Sequence, residues 1–367
     1  MIAIITCGHR PEDERIYVRE IKSLLKAGHK ITYFTRWEKE TNLSEDNLWH
    51  RNYSEKDLSL RDYTRSILND FKVLKPSIIH IHEFELLPLA SKARKIYNSK
   101  IIYDVHEANI ELWDAFSSKP QGLKQIINKA LDQFEKRYLK SVDKVLTTVP
   151  ILVDRYQNRG IRSTLLPNYP LDLPRRSKKS DVKTVIYHGQ ISLERGLSDL
   201  IEAIPPLINS VQNFRVEIYG NERVPGTIEK LNSLAKELNI SDYVNINEHI
   251  SHSDMLRILS RAYITVIPFR DHPMFQIAIP VKLFEAMWAK CAIVASELES
   301  IKEYDENFIE FFPPGNIEAL SLKLEHLLKN EDEVNRLGEI GAKLIKNKYN
   351  WSRVEGELLK VYEEFKH

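Results

Sequence analysis

Lys282 and Glu285 stand three residues apart in Pro280-Val281-Lys282-Leu283-Phe284-Glu285-Ala286-Met287. That spacing puts a cation and a carboxylate on one side of a helix and leaves Leu283, Phe284 and Met287 to face a sheet. Pro280 suits the first helical position because it has no N–H to leave unpaired. The amides behind it point outward at the positive end of the helix dipole, and such an end receives phosphate. Lys282 beside a diphosphate, with Glu285 one turn deeper accepting from ribose hydroxyls, would suit a nucleotide. The same spacing also fits a surface ion pair on an ordinary helix.

The surrounding elements have to position these groups. Residues 263–267 read as a strand, a polar loop follows, and a second strand begins over 292–295, giving a strand, loop, helix, strand unit. The chain start repeats the theme. Residues 2–6 form an apolar strand-like run, Gly8-His9-Arg10 breaks it, 12–26 have helical periodicity, and 31–34 read as the next strand, the opening of a doubly wound α/β domain. No G-x-G-x-x-G follows the first strand, so the nicotinamide fingerprint is absent. Residues 42–52 read as loop, 58–74 and 86–97 as helices, and 77–82 and 101–103 as strands. Asp104-Val105-His106-Glu107 then falls at a strand's carboxyl end, where open α/β sheets bind ligands. Over 123–139 Leu123, Ile126, Ile127, Ala130, Leu131, Phe134 and Tyr138 recur at helical spacing against Lys124, Lys129, Lys136, Arg137 and Lys140. This basic amphipathic pattern fits a helix resting on anionic lipid and equally a domain helix with its lysines in water.

Residues 170–183 are charged, contain proline and lack apolar periodicity, which marks a domain boundary. Beyond them the strand and helix alternation restarts and runs to a last helix over 352–365. A length of 367 residues with 43% apolar content suffices for two cores. The short apolar run at the start is a first strand and not a signal peptide, no stretch reaches membrane-spanning length, and Cys7 and Cys291 fit neither a disulfide framework nor a zinc site. A cytoplasmic protein is expected. The net charge of +1 conceals an asymmetry: residues 1–180 hold 32 Lys and Arg against 23 Asp and Glu, whereas 181–367 hold 21 against 29. A basic first half suggests an anionic partner, either the inner face of a membrane or a phosphorylated acceptor, or else uneven solvated charge.

Several motifs then come in a telling order: Tyr103-Asp104-Val105-His106-Glu107, Leu166-Pro167-Asn168-Tyr169-Pro170, His188-Gly189-Gln190, Glu194-Arg195-Gly196-Leu197, Ile218-Tyr219-Gly220, Val266-Ile267-Pro268 and the Pro280–Met287 stretch. Together they resemble the retaining glycosyltransferases of family 4, which have the GT-B fold of two facing Rossmann-like doubly wound α/β domains with an interdomain cleft. The resemblance implies an acceptor-binding domain over 1–170, a linker over 171–183, a nucleotide-sugar domain over 184–350, and a C-terminal helix over 351–367 packing back on the first domain. It implies a UDP- or GDP-hexose donor, a glycan or lipid-linked acceptor hydroxyl, a role in cell-surface polysaccharide synthesis, and neither cofactor, metal nor nucleic acid. Arg195 and Lys282 would hold the leaving diphosphate, Glu285 the ribose, and Gly8, Gly189 and Gln190 would line the donor. His106 would lie at the transferred sugar, with His9, Arg10 and Glu107 on the acceptor side.

This chain departs from the pattern at two places. Gln190 stands where the family has an arginine, and Ile277 stands where the first carboxylate of a two-glutamate pattern would fall. Lys282 could replace the charge missing at Gln190. The departures leave two further readings open, a catalytically silent subunit serving another transferase and a sugar-nucleotide epimerase of the same architecture.

Overall fold

The computed structural model describes residues 1–39, 41–105, 113, 117, 119–171 and 178–365. The chain divides into two compact units, Met1–Asn168 with Trp351–His367, and Tyr169–Asn350.

In the first unit, seven strands, β1 (Ile2–Ile5), β2 (Ile31–Arg36), β3 (Leu48–Tyr53), β4 (Ile78–Ile81), β5 (Lys100–Val105), β6 (Lys144–Thr147) and β7 (Ser163–Leu165), form one sheet in the order β3-β2-β1-β4-β5-β6-β7. Every pairing is parallel. Parallel strands covered on both faces read as unbroken apolar runs, and β1 and β4 are buried along their whole length. The second unit repeats the plan with β8 (Lys183–His188), β9 (Phe214–Tyr219), β10 (Val244–Asn247), β11 (Ile264–Ile267), β12 (Ala292–Ser296) and β13 (Ile309–Phe312), in the order β10-β9-β8-β11-β12-β13. Both sheets therefore reverse direction at one place, between β1 and β4 and between β8 and β11. The carboxyl ends there are the expected ligand crevices.

Among the elements that differ from the sequence reading are three near the sheet edges and the chain start. Residues 48–52, expected as loop, belong to strand β3, a parallel edge partner of β2 from Ile31↔Leu48 to Arg36↔Tyr53. Strand β13 was not anticipated. The first helix is not uniform: Glu14–Ile21 is wound as a π-helix before Lys22–Lys26 continues as α-helix. Its wide turn shows in the Val18 amide reaching the Asp13 carbonyl at 3.2 Å, and it buries Arg15, Arg19 and Glu20.

The last helix, Trp351–Glu363, packs within the first unit. The Trp351 indole N–H donates to Ser23 Oγ at 2.9 Å, and Tyr362 Oη lies 2.7 Å from His80 Nδ1. The basic helix Gln121–Leu139 is held at its C-terminal half, where Glu135 accepts from Tyr156 Oη at 2.7 Å and from Arg159 Nη1 at 2.6 Å. Its N-terminal half leaves Leu123 and Ile126 exposed, Ile126 by 66%.

Candidate functional site

The switch point of the second sheet gathers the cations. Gly189 and Gln190 leave β8, Pro268 leaves β11, and Arg195 closes the short turn Leu193–Arg195 beside them. The turn is strapped in place. Gly196 sits at φ 66°, and a Cβ there would lie 1.8 Å from the Pro268 carbonyl oxygen, so only glycine permits the approach. Arg270 donates to both oxygens of buried Asp199, Nε at 3.0 Å and Nη2 at 2.5 Å, and its amide bonds the Glu194 carbonyl at 3.1 Å. Arg195 then places its guanidinium 5.0 Å from the ring centre of Phe269 and 5.6 Å from that of Phe275.

Lys282 reaches the same point from the helix Val281–Trp288. Pro280, expected as the first helical residue, is instead the cap, with φ −74° and ψ 122°. The Lys282 ammonium lies 3.8 Å from the ring centre of Tyr187 and 5.0 Å from that of Phe269. It also lies 3.0 Å from where a Cβ of Gly189 would stand, and Gly189 has φ 122°. Lys282 is only 6% exposed, and among the described residues its nitrogen has no hydrogen-bond partner. Burial, reinforced by the charge of Arg195, holds its pKa well below the ordinary 10.5, against the opposing pull of Glu285. Arg195 and Lys282 thus converge on Phe269, and among the described residues no group hydrogen-bonds the Lys282 nitrogen; a buried charge without a bonded partner is costly. A bound diphosphate would supply the missing partner. Gln190 is exposed, and what it offers inward is its carbonyl, which accepts from Tyr187 Oη at 2.7 Å.

Glu285 is not part of a surface ion pair. It is 8% exposed and lies between two histidines, with His188 Nε2 2.6 Å from Oε2 and His252 Nε2 2.7 Å from Oε1. Burial alone would raise its carboxyl, but the bonds from His188 and His252 hold it below the usual carboxylate range. Ile277 ends the short helix Pro273–Ile277, half-buried.

The switch point of the first sheet carries a carboxylate. Glu83, just past β4, accepts from the amides of Cys7 and Gly8, both at 3.0 Å, and from Thr6 Oγ1. The amide of Gly8, a residue expected to line the donor, is therefore satisfied from within. His9 stands 3.4 Å from Asp13 and 3.8 Å from Glu83, and Arg10 is exposed. Burial would raise the Asp13 carboxyl, but His9 and the amides of Ile16 and Arg15 lower it to about 2. His106 and Glu107 lie outside the described residues.

Beneath that end, fully buried Arg15 ties three segments together. It donates to Asp104 Oδ2 at 3.1 and 2.7 Å, to the Leu166 carbonyl at 2.9 Å and to Asn168 Oδ1 at 2.7 Å, and stands 3.1 Å from Glu20. The potential ligand atoms of Glu20, His80, His82 and Asp104 lie within 4.8 Å of one another. Arg15 supplies the positive charge of that group. Sequence reasoning missed the roles of Arg15, His188, His252 and the Arg270–Asp199 strap, all of which act across long separations that only the tertiary fold brings together.

Residues 14–169 match the family model described as Glycosyltransferase Family 4, and 171–344 match that described as Glycosyl transferases group 1. The chain is 22% identical over 251 residues to the α-D-kanosaminyltransferase of Streptomyces kanamyceticus, covering 67% of this chain and 61% of that one. It is 25% identical over 173 residues to the MMP α-(1→4)-mannosyltransferase of Mycolicibacterium hassiacum, covering 46% and 40%. The matched stretches thus span less than two thirds of these relatives. Among solved structures, sucrose-phosphate synthase from Thermosynechococcus elongatus superposes with a TM-score of 0.76 at 17% identity, covering 99% and 98% of the two chains. Anabaena HepE in complex with UDP-glucose superposes at 0.72 and 10%, covering 99% of each. These likenesses establish the fold, GT-B.

Proposed function

We propose that this chain, whose first half matches the Glycosyltransferase Family 4 model and whose second half matches the Glycosyl transferases group 1 model, transfers a hexose-type unit from a UDP- or GDP-sugar to a hydroxyl of a glycan or lipid-linked acceptor, with retention at the anomeric carbon. The observation that carries this reading is the buried Lys282 amine, without a hydrogen-bond partner among the described residues, beside Arg195 at the switch point of the second sheet. A diphosphate there receives two cations at the start of the Val281–Trp288 helix, which no side chain caps. In the reaction the leaving diphosphate gains negative charge as the sugar bond breaks, and Lys282 and Arg195 are already in place to oppose it, so no side chain has to reorganise. No divalent metal is required for that step. Glu285, ionised and buried, accepts from ribose hydroxyls. His106 orients the transferred sugar.

UDP bound to HepE in its solved complex supports a nucleotide donor of this class. The retained Lys282 and Glu285 favour an active transferase over a silent subunit. The test is a thermal-shift series with UDP, GDP, ADP and their sugars in EDTA, followed by product analysis. A ligand at 100 times its dissociation constant stabilises by about 2.7 kcal/mol. Stabilisation by one nucleoside diphosphate and by its sugar, with transfer or slow hydrolysis to free nucleoside diphosphate, supports the reading. Absence of any shift at millimolar concentration leaves only the silent subunit, and release of a 2-epimeric sugar makes the protein an epimerase.

A further inference from the structure

Glu285 is gripped at both oxygens, and the two grips differ in kind. His188, the last residue of β8, is buried with its Nε2 2.6 Å from Oε2, and the sheet fixes it. His252 is the first residue of the helix His252–Leu259, whose cap Ser251 accepts from the Asp254 amide at 3.2 Å, and its side chain is 47% exposed while its Nε2 sits 2.7 Å from Oε1. Because the carboxylate is ionised, it only accepts, so both histidines present Nε2–H to it.

A half-exposed side chain held on a buried carboxylate contributes little stability, because solvent screens the attraction and the held rotamer costs entropy. With His188 alone, however, the carboxylate would be fixed at one oxygen and free to turn about its last bond. His252 removes that rotation. A carboxylate has about four acceptor positions. With one on each oxygen taken by a histidine, one on each oxygen remains, a pair suited to two neighbouring hydroxyls.

We infer that His252 is a positioning residue for the donor: with His188 it holds Glu285 in the orientation that accepts a ribose 2′,3′-diol, and so sets a preference for ribonucleotides over deoxyribonucleotides. The inference rests on the reading of this site as the donor site.

The experiment measures dissociation constants of UDP and GDP, of their 2′-deoxy forms, and of inorganic pyrophosphate, for the wild type, His252→Ala and His252→Gln. The wild type binds the ribo form of its preferred nucleotide on the order of tenfold more tightly than the deoxy form. His252→Ala brings that ratio close to one with pyrophosphate affinity unchanged, and His252→Gln, whose amide still donates, restores part of it. A wild-type ratio retained by His252→Ala, or an equal loss for pyrophosphate, overturns the inference while leaving the donor site standing. Failure of the wild type to bind any of these probes overturns the donor reading itself.

Discussion

Lys282 is the residue at which stability and function pull apart. A buried ammonium with no hydrogen-bond partner among the described residues, its pKa held down by burial and by Arg195, destabilises the free protein. The folded state binds fewer protons there than the unfolded chain, so this contribution to stability improves as pH rises towards 10.5 and worsens as pH falls. Replacing Lys282 by Met, of similar length and without charge, is expected to raise the ligand-free melting stability by about 0.5–2 kcal/mol while abolishing diphosphate binding. Calorimetry with and without nucleoside diphosphate reads both effects, and a destabilised variant would contradict the account. Binding an anion favours charged Lys282, so above the lowered pKa of the free protein donor binding takes up a proton, and affinity falls as pH rises beyond it. Isothermal titration in buffers of different ionisation enthalpy measures that uptake. Glu83 has the opposite character, with two amides and a hydroxyl satisfied by one carboxylate. Glu83→Ala leaves those donors unpaired and is expected to cost about 1–3 kcal/mol in urea unfolding, with no cost if water replaces the carboxylate.

At the scale of elements, the regular part of the chain was legible and its edges were not. Buried parallel strands such as Ile2–Ile5 and Ile264–Ile267 announce themselves as short apolar runs. Leu48–Tyr53 does not, because as an edge strand it mixes exposed Trp49 and Arg51 with polar residues and draws its order from β2. The π-wound start of the first helix was hidden as well, since its reward is long-range: it delivers Arg15 to Asp104, 89 residues away. The candidate site shows the same division. Lys282 and Glu285 could be read from spacing on one helix, whereas His188 and His252 meet Glu285 across 97 and 33 residues. The strap on the Arg195 turn belongs to this scale. Arg270→Ala frees the turn without touching Arg195, and is expected to weaken diphosphate binding about tenfold through lost positioning, while unchanged affinity would show that the turn holds itself.

Over the whole molecule the charge is divided, with the excess of cations in residues 1–180. No helix among the described residues is long and apolar enough to cross a membrane. The helix Gln121–Leu139, with exposed Leu123 and Ile126 beside Lys124 and Lys129, is the surface we propose for peripheral contact with anionic lipid. The variant with Lys124, Lys129, Lys136 and Lys140 replaced by Glu should lose partitioning onto anionic vesicles at low salt. The wild type should lose it as salt shortens the Debye length towards about 3 Å at 1 M. Equal partitioning of the two proteins would remove this helix from the account.

The central claim is that Arg195 and Lys282 hold the donor diphosphate without a divalent metal. Its most direct test is titration of the wild type and Lys282→Ala with UDP and GDP in EDTA. The account predicts saturable binding of one of them by the wild type, a loss of about 2–4 kcal/mol in the variant, and no gain on adding magnesium. Equal binding by the two proteins, or wild-type binding that appears only with magnesium, would contradict it.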